Sequence, residues 1–266
     1  MQIIEPLKTD KKLVEYLTED VKKVGVVFFH GVGDCVQFMT SFDKLKALYP
    51  KIQFDLMIQN GLGEEVLFPE AIQTGITEIQ EMHEYDYIFL VHFPVETDPT
   101  CTKSELCCKT ELGITATTGH KKLPVYPSKL IGLHFFNTAL PDVFNTPPEI
   151  AEKVWNEVLD AGFVPIELAF QHVFHNPVNA KYPFIDCTVR RAKADLKTLL
   201  GLIEACAGII CSVSGPLHLA LANHPERVFY LDKGVPITRF TYYPVPTVNV
   251  NNYQEGKVRM WLNELR

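Results

Sequence analysis

The sequence predicts an α/β protein in two units, each a parallel sheet with helices on both faces. Three observations predict it. Short runs such as residues 24–29 are apolar without alternation, as strands buried on both faces must be. Each run is followed by a stretch with helical spacing, and strand–helix alternation requires parallel pairing through crossover helices. The pattern breaks once, at residues 120–128, where Lys121-Lys122, Pro124 and Pro127 read as a linker, and then restarts. The expected domains are 1–125 and 126–266, with a cleft between them.

Residues 1–22 read as a leading helix and its approach, with Leu13, Tyr16 and Leu17 on one face. A strand over 23–30 ends in the turn His30-Gly31-Val32-Gly33-Asp34. A helix over about 35–49 follows, its Val36, Met39, Phe42 and Leu45 at inward spacing, and Pro50 ends it. A strand over 52–58 alternates Phe54, Leu56 and Ile58. A short helix over 64–67 and a buried strand over 85–91 complete the first unit. Residues 93–118 show no convincing strand.

The second unit opens with a strand over 130–135. Thr146-Pro147-Pro148-Glu149 reads as a helix start, with Thr146 as cap, prolines in the first turn and Glu149 closing a capping box. Ile150, Val154 and Val158 share a face of that helix, and Gly162 ends it. A strand over 164–168 follows. Asp195 reads as the cap of a helix striped by Leu196, Leu199, Leu200 and Ile203. A strand over 208–211, a polar turn over 212–215 and a helix from Pro216 to Asn223 come next, stopped by His224-Pro225. A strand over 228–231 and a helix around 255–266 finish the chain.

Composition narrows the function. The chain has 266 residues, 47% hydrophobic and 21% charged, as ordinary globular proteins do. No apolar run approaches the roughly 20 residues of a membrane helix. The first twelve residues lack the apolar core of a signal peptide, so a cytosolic protein with at most peripheral membrane contact is expected. The seven cysteines are an odd number without paired spacing, which argues against a disulfide framework. Cys101, Cys107 and Cys108, with His120, offer three thiolates and an imidazole, but there is no Cys-x-x-Cys pair. Reduced thiols are the reading taken, with no metal and no cofactor. Net charge is −7, and residues 1–125 carry all of it, with 12 Lys and Arg against 19 Asp and Glu. An acidic front half excludes nucleic acid as a partner.

Two turns carry candidate chemistry. Ser212-Val213-Ser214-Gly215 joins a buried strand to a helix, so its amides and the helix dipole make an anion site; the plainer reading is an ordinary connection. His30-Gly31-Val32-Gly33-Asp34 lacks the Lys-Ser/Thr of a P-loop and the full Gly-x-Gly-x-x-Gly. It sets Asp34 at the mouth of a helix, where a carboxylate is either an N-cap or a ligand-facing group at the carboxyl end of the first strand.

Ser214, Gly215, Pro216, His218, Leu219 and Ala220 resemble the nucleotide-diphosphate signature of glycosyltransferase family 9, the ADP-heptose:lipopolysaccharide heptosyltransferases. Gly33-Asp34 and the tail Leu45-Lys46-Ala47-Leu48-Tyr49-Pro50 resemble its catalytic-base segment. The resemblance implies a GT-B-like fold: two Rossmann-like domains with parallel sheets facing across a cleft. It implies an inverting, metal-free sugar transfer from a nucleotide-diphosphate donor to a saccharide or glycolipid hydroxyl, with no resident cofactor. Asp34 would be the base, on a cleft loop with His30, Gly31 and Gly33. Ser212, Ser214, Gly215, Pro216, Leu217 and His218 would hold the donor, with Gln171 and Glu167 as further contacts. His218 reads either as that contact or as a packing residue. The absence of any Asp-x-Asp fits a metal-free design.

The chain departs from the family at three places. Val213 stands where the family has an acid, residues 136–141 lack the usual cation, and Gln171 stands for a ribose-binding Glu. Arg190, Arg191 and Lys193 read as a solvated run, one of which is a candidate for that cation. These departures keep open a binding protein that has lost transfer, and behind it a nucleotide-sugar epimerase.

Overall fold

Two wholly parallel sheets carry the apolar strands foreseen in each half. The structure is a computed structural model that describes residues 1–5, 8–29, 31–59, 64–91, 128–136, 141–169, 185–186, 193–237 and 244–265. The chain divides into two compact units, Met1–Gly119 and His120–Arg266. That division and the expected 125/126 boundary both fall in residues 92–127, outside the described residues. The linker, Cys101, Cys107, Cys108 and His120 lie there too. No helix among the described residues is long and apolar enough to cross a membrane.

In the first unit the strands are β1 (Gln2–Ile4), β2 (Lys23–Phe28), β3 (Gln53–Gln59), β4 (Ile72–Thr74) and β5 (Tyr87–Val91), in the order β1-β5-β2-β3-β4. β2 is central, which is why its apolar run does not alternate: Val24, Val26, Val27 and Phe28 are all buried. Val27 packs with Met57, Tyr85 and Ile88 on one face. On the other lies α1 (Val32–Leu48), whose Phe38 stacks on Phe28 with ring centroids 4.2 Å apart. From β2 the chain moves one way to β3 and β4, while β5 and β1 pair on its other side. This reversal puts the β2–α1 loop at the switch point where open α/β sheets bind ligands.

Among the described residues of the segment 1–22 the expected leading helix is absent. Residues 2–4 form an edge strand on β5, and Leu13–Tyr16 coil as one 3-10 turn. Leu13 and Leu17 are buried as the spacing implied, and Tyr16 is half-buried against the rings of Tyr87 and Phe89. The short β4 and the four-residue α2 (Ile76–Ile79) carry too few residues for a periodic signal.

The second sheet orders β6 (Leu130–His134), β7 (Val164–Ala169), β8 (Ile185–Asp186), β9 (Gly208–Cys211), β10 (Val228–Asp232) and β11 (Thr247–Asn249) as β11-β10-β9-β6-β7-β8. Here the reversal lies between β6 and β9. After the short α3 (Pro141–Phe144) comes α4 (Pro148–Asp160), which shares one face of the sheet with the terminal α7 (Lys257–Glu264). Ile131, Leu133, Ile210 and Phe229 meet Val154, Trp155, Val258 and Trp261 there. The other face holds α5 (Lys193–Ala205) and α6 (Gly215–Asn223). Gly162 ends α4 with φ 76°, a left-handed conformation that favours glycine.

Two expected caps are displaced. Pro148 pushes the residue before it out of the helical region. Pro147 (φ −56°, ψ 140°) is therefore the N-cap of α4, and Thr146 is released from capping. Asp195 sits inside the first turn of α5, which begins at Lys193.

Candidate functional site

The turn from β9 into α6 follows from its residues. β9 is buried throughout, between β6 and β10, and Ser212 extends its ladder by donating its amide to the His134 carbonyl at 2.9 Å. Ser214 is fully extended and caps α6: its Oγ accepts the Leu217 amide at 3.3 Å and donates to the Ser212 carbonyl at 3.0 Å. Pro216 has no amide hydrogen, and the His218 amide goes to the Ser214 carbonyl at 3.2 Å. Among the described residues no acceptor meets the amides of Ser214 or Gly215. Two adjacent donors are thus left at the positive end of a helix, on the β6/β9 switch point. Buried backbone amides are nearly always paired, so such a pair marks a place for an acceptor from outside. Ser214 is only 4% exposed, and Gly215 is the one residue of the turn with appreciable exposure.

The side chains around the turn are committed to holding it. Ser212 Oγ lies 2.5 Å from Thr146 Oγ1, so Ser212 serves the frame of the turn. His218 and Val213 are buried. At the far end of α6, His224 Nε2 meets Glu204 Oε2 of α5 at 2.6 Å. His134 is buried at the end of β6, with Nδ1 bonded to the Leu168 carbonyl. Burial pushes this imidazole down to about 4, against backbone bonds to Leu168 and Phe136 that raise it. It is neutral at physiological pH and brings no charge to the turn. Glu167 is buried on β7 beside Leu133 of β6, the strand that separates β7 from the turn's own β9. Gln171, residues 137–140 and Arg190-Arg191 lie outside the described residues, as do His30 and the side chain of Lys193. Thr146 and His134 were not singled out as site residues by the sequence. Thr146 had a signal, since the Pro147-Pro148 pair moves the cap off it; His134 had none beyond ending a strand.

In the first unit α1 starts earlier than its spacing implies. Gly31 (φ −71°, ψ 161°) is the N-cap, and its carbonyl accepts the Cys35 amide at 3.0 Å. Asp34 is therefore not the cap but a half-buried residue of the first turn, with Gly33 just before it. That turn is where a negative charge is stabilised by the helix, and it sits at the switch point of its sheet. Among the described residues, no group of three His, Cys, Asp or Glu side chains is arranged to hold a metal ion.

No protein-family model and no curated protein matches the sequence. Solved structures match the fold over most of the chain. A glycosyl transferase family 9 structure from Veillonella parvula is 14% identical, covers 87% of each chain and has a TM-score of 0.61. The E. coli ADP-heptose lps heptosyltransferase II is 15% identical, over 91% of this chain and 98% of its own, with a TM-score of 0.62. The E. coli heptosyltransferase WaaC, solved with ADP, is 11% identical, over 92% of this chain and all of its own, with a TM-score of 0.55. The likeness is one of fold: two parallel α/β sheets, the GT-B-like class that the motif resemblance implies.

Proposed function

We propose that this chain is a glycosyltransferase that moves a sugar from a nucleotide-diphosphate donor to an acceptor hydroxyl. The observation that carries the reading is the pair of amides at Ser214 and Gly215, which meet no acceptor among the described residues and sit on the β6/β9 switch point. A diphosphate oxygen fits two adjacent donors at a helix N-terminus. Its charge grows as the glycosidic bond breaks, and fixed dipoles stabilise that growth without reorganising. Asp34 serves as general base for the acceptor hydroxyl, a role typically worth about 10²–10⁴-fold. His218 lies on α6, which the donor turn opens, and is kept as a donor contact; Glu167 on β7 and Gln171 are kept as further donor contacts. Fold neighbours solved with ADP and with ADP-heptose make an adenosine-diphosphate sugar the first donor to try. The acceptor is a saccharide or glycolipid. Transfer needs no metal and inverts the anomeric carbon.

The test is a product assay with ADP- and UDP-linked sugars, in chelator, beside calorimetry with ADP. Transfer is expected in chelator, with an inverted anomer and a loss of about 10²-fold or more in Asp34→Asn. Full transfer by Asp34→Asn overturns the base assignment. Tight donor binding with no product in any acceptor panel overturns the transferase.

A further inference from the structure

We propose that Thr146 is a positioning residue for the diphosphate-binding turn; this rests on the donor-site reading above. Two loops border the β6/β9 reversal, one leaving each strand. A side-chain contact joins them: Thr146 Oγ1 lies 2.5 Å from Ser212 Oγ, with both residues 1% exposed. Thr146 is itself fixed to the end of β6, its amide donating to the Phe135 carbonyl at 3.0 Å. Ser212 is fixed to the same strand through the His134 carbonyl. From Ser212 the chain of contacts continues into the site. Its carbonyl accepts Ser214 Oγ, and Ser214 Oγ accepts the Leu217 amide. Thr146, the hydroxyl and carbonyl of Ser212, and Ser214 Oγ thus form one line of contacts ending at the cap that orients the two amides.

The chemistry makes the line sensitive to its first member. Ser212 has no exposure with which to recruit water. Without the Thr146 hydroxyl its own hydroxyl is left buried and unmatched, which a protein avoids by moving the group. The Ser212 carbonyl and the Ser214 cap move with it, and the amides lose their aim. Misplacing donors by a fraction of an ångström weakens an anion contact while leaving the sheet and the helix intact. Thr146 touches no substrate and acts only through Ser212.

Three variants and two ligands test this. Thr146→Val keeps the shape and removes the hydroxyl; Thr146→Ser keeps the hydroxyl; Ser212→Ala removes the other end of the contact. Calorimetry should show ADP binding weakened about tenfold in Thr146→Val and in Ser212→Ala, and restored to within about twofold in Thr146→Ser. The double variant should lose no more than either single one. Adenosine, measured by competition at millimolar concentration, should bind alike in all of them, because it has no phosphate to misplace. Unchanged ADP affinity in Thr146→Val or Ser212→Ala overturns the proposal alone. Equal losses for ADP and adenosine overturn it too, since they mark general damage. A wild-type chain that binds neither ADP nor UDP removes the donor-site reading and this proposal with it. If Thr146→Val does not fold, Ser212→Ala and Thr146→Ser decide the matter.

Discussion

The carboxylate of Glu157 accepts the hydroxyl of Tyr253 at 2.8 Å, joining residues 96 positions apart. The same carboxylate accepts the Gly256 amide at 3.0 Å and the Arg259 amide at 2.9 Å. Gly256, the N-cap of α7, is left-handed and has no side chain with which to cap. Glu157 of α4 does that work from outside, and its charge meets the positive end of the helix. Burial and the neighbouring Glu157 both hold the Tyr253 phenol well above its usual range, so it stays a donor. An eight-residue helix is marginal alone. Here Val258, Trp261 and Leu262 add the burial that fixes it against the sheet.

Removing this cap should loosen the end of the chain. Glu157→Ala is expected to destabilise the protein by about 2–4 kcal/mol and Tyr253→Phe by about 1–2 kcal/mol. Urea denaturation measures both. The two effects should be non-additive, because the phenol's partner is the carboxylate. Additive losses would show that the pair is not coupled.

Two strand glycines should respond differently to a methyl group. At Gly208 a Cβ would lie 2.7 Å from the Trp261 ring and 2.8 Å from Leu265 Cδ1. The ring cannot yield without shifting α7, so Gly208→Ala is expected to cost about 1–3 kcal/mol. At Gly25 the tightest contact is the Met57 terminal methyl at 2.7 Å, the far end of a flexible chain. Gly25→Ala should cost less, on the order of 1 kcal/mol or below. Thermal melts of both variants give the order, and a reversed order would contradict this packing.

The sequence was most legible where burial on two faces removes alternation. β2, β6, β9 and β10 read directly from apolar runs, and β9 is found over the residues foreseen, Gly208–Cys211. The strands it hid are short or at edges. Gln2–Ile4 and Thr247–Asn249 pair on one side only, and each buries a single residue. Helix starts were misjudged where backbone rules outrank side-chain caps. Gly31 took the cap from Asp34, and Pro148 moved it from Thr146 to Pro147. Of the donor turn, the motif exposed Ser214, Gly215 and Pro216. It gave no sign that the hydroxyl of Ser212 is spent on the frame, because that depends on Thr146, 66 positions away.

His134 makes stability depend on pH in a definite direction. Its native value is about 4, against about 6.5 in an unfolded chain. Between those values the unfolded state holds the extra proton, so this residue makes stability rise with pH from 4 to 6.5. Above 6.5 its protonation contributes nothing. Below 4 the penalty levels off at about 3 kcal/mol. His134→Asn can keep a donor to the Leu168 carbonyl and cannot titrate. Denaturation midpoints at pH 4.5 and 7.5 should differ less in the variant than in the parent. An equal or larger difference in the variant would mean that His134 is not held neutral.

The amide of Gly215 can be deleted without altering any side chain. Gly215 is the first residue of α6, the position where proline is best tolerated, and Ser214 before it is already extended, as a residue preceding proline prefers. Gly215→Pro removes one of the two donors. Because Pro216 follows, residue 215 is expected to leave the helical region as Pro147 does before Pro148, so that α6 starts one residue later with its remaining turns in place. A hydrogen bond to a charged group is worth about 1.5–3 kcal/mol, so ADP affinity is expected to fall about 10- to 100-fold. The melting temperature should stay near that of the parent, and adenosine should bind as before. Calorimetry beside a thermal melt separates the outcomes. Unchanged ADP affinity in a folded Gly215→Pro would mean that the diphosphate is held elsewhere, and the case for a donor site at this turn would fall with it.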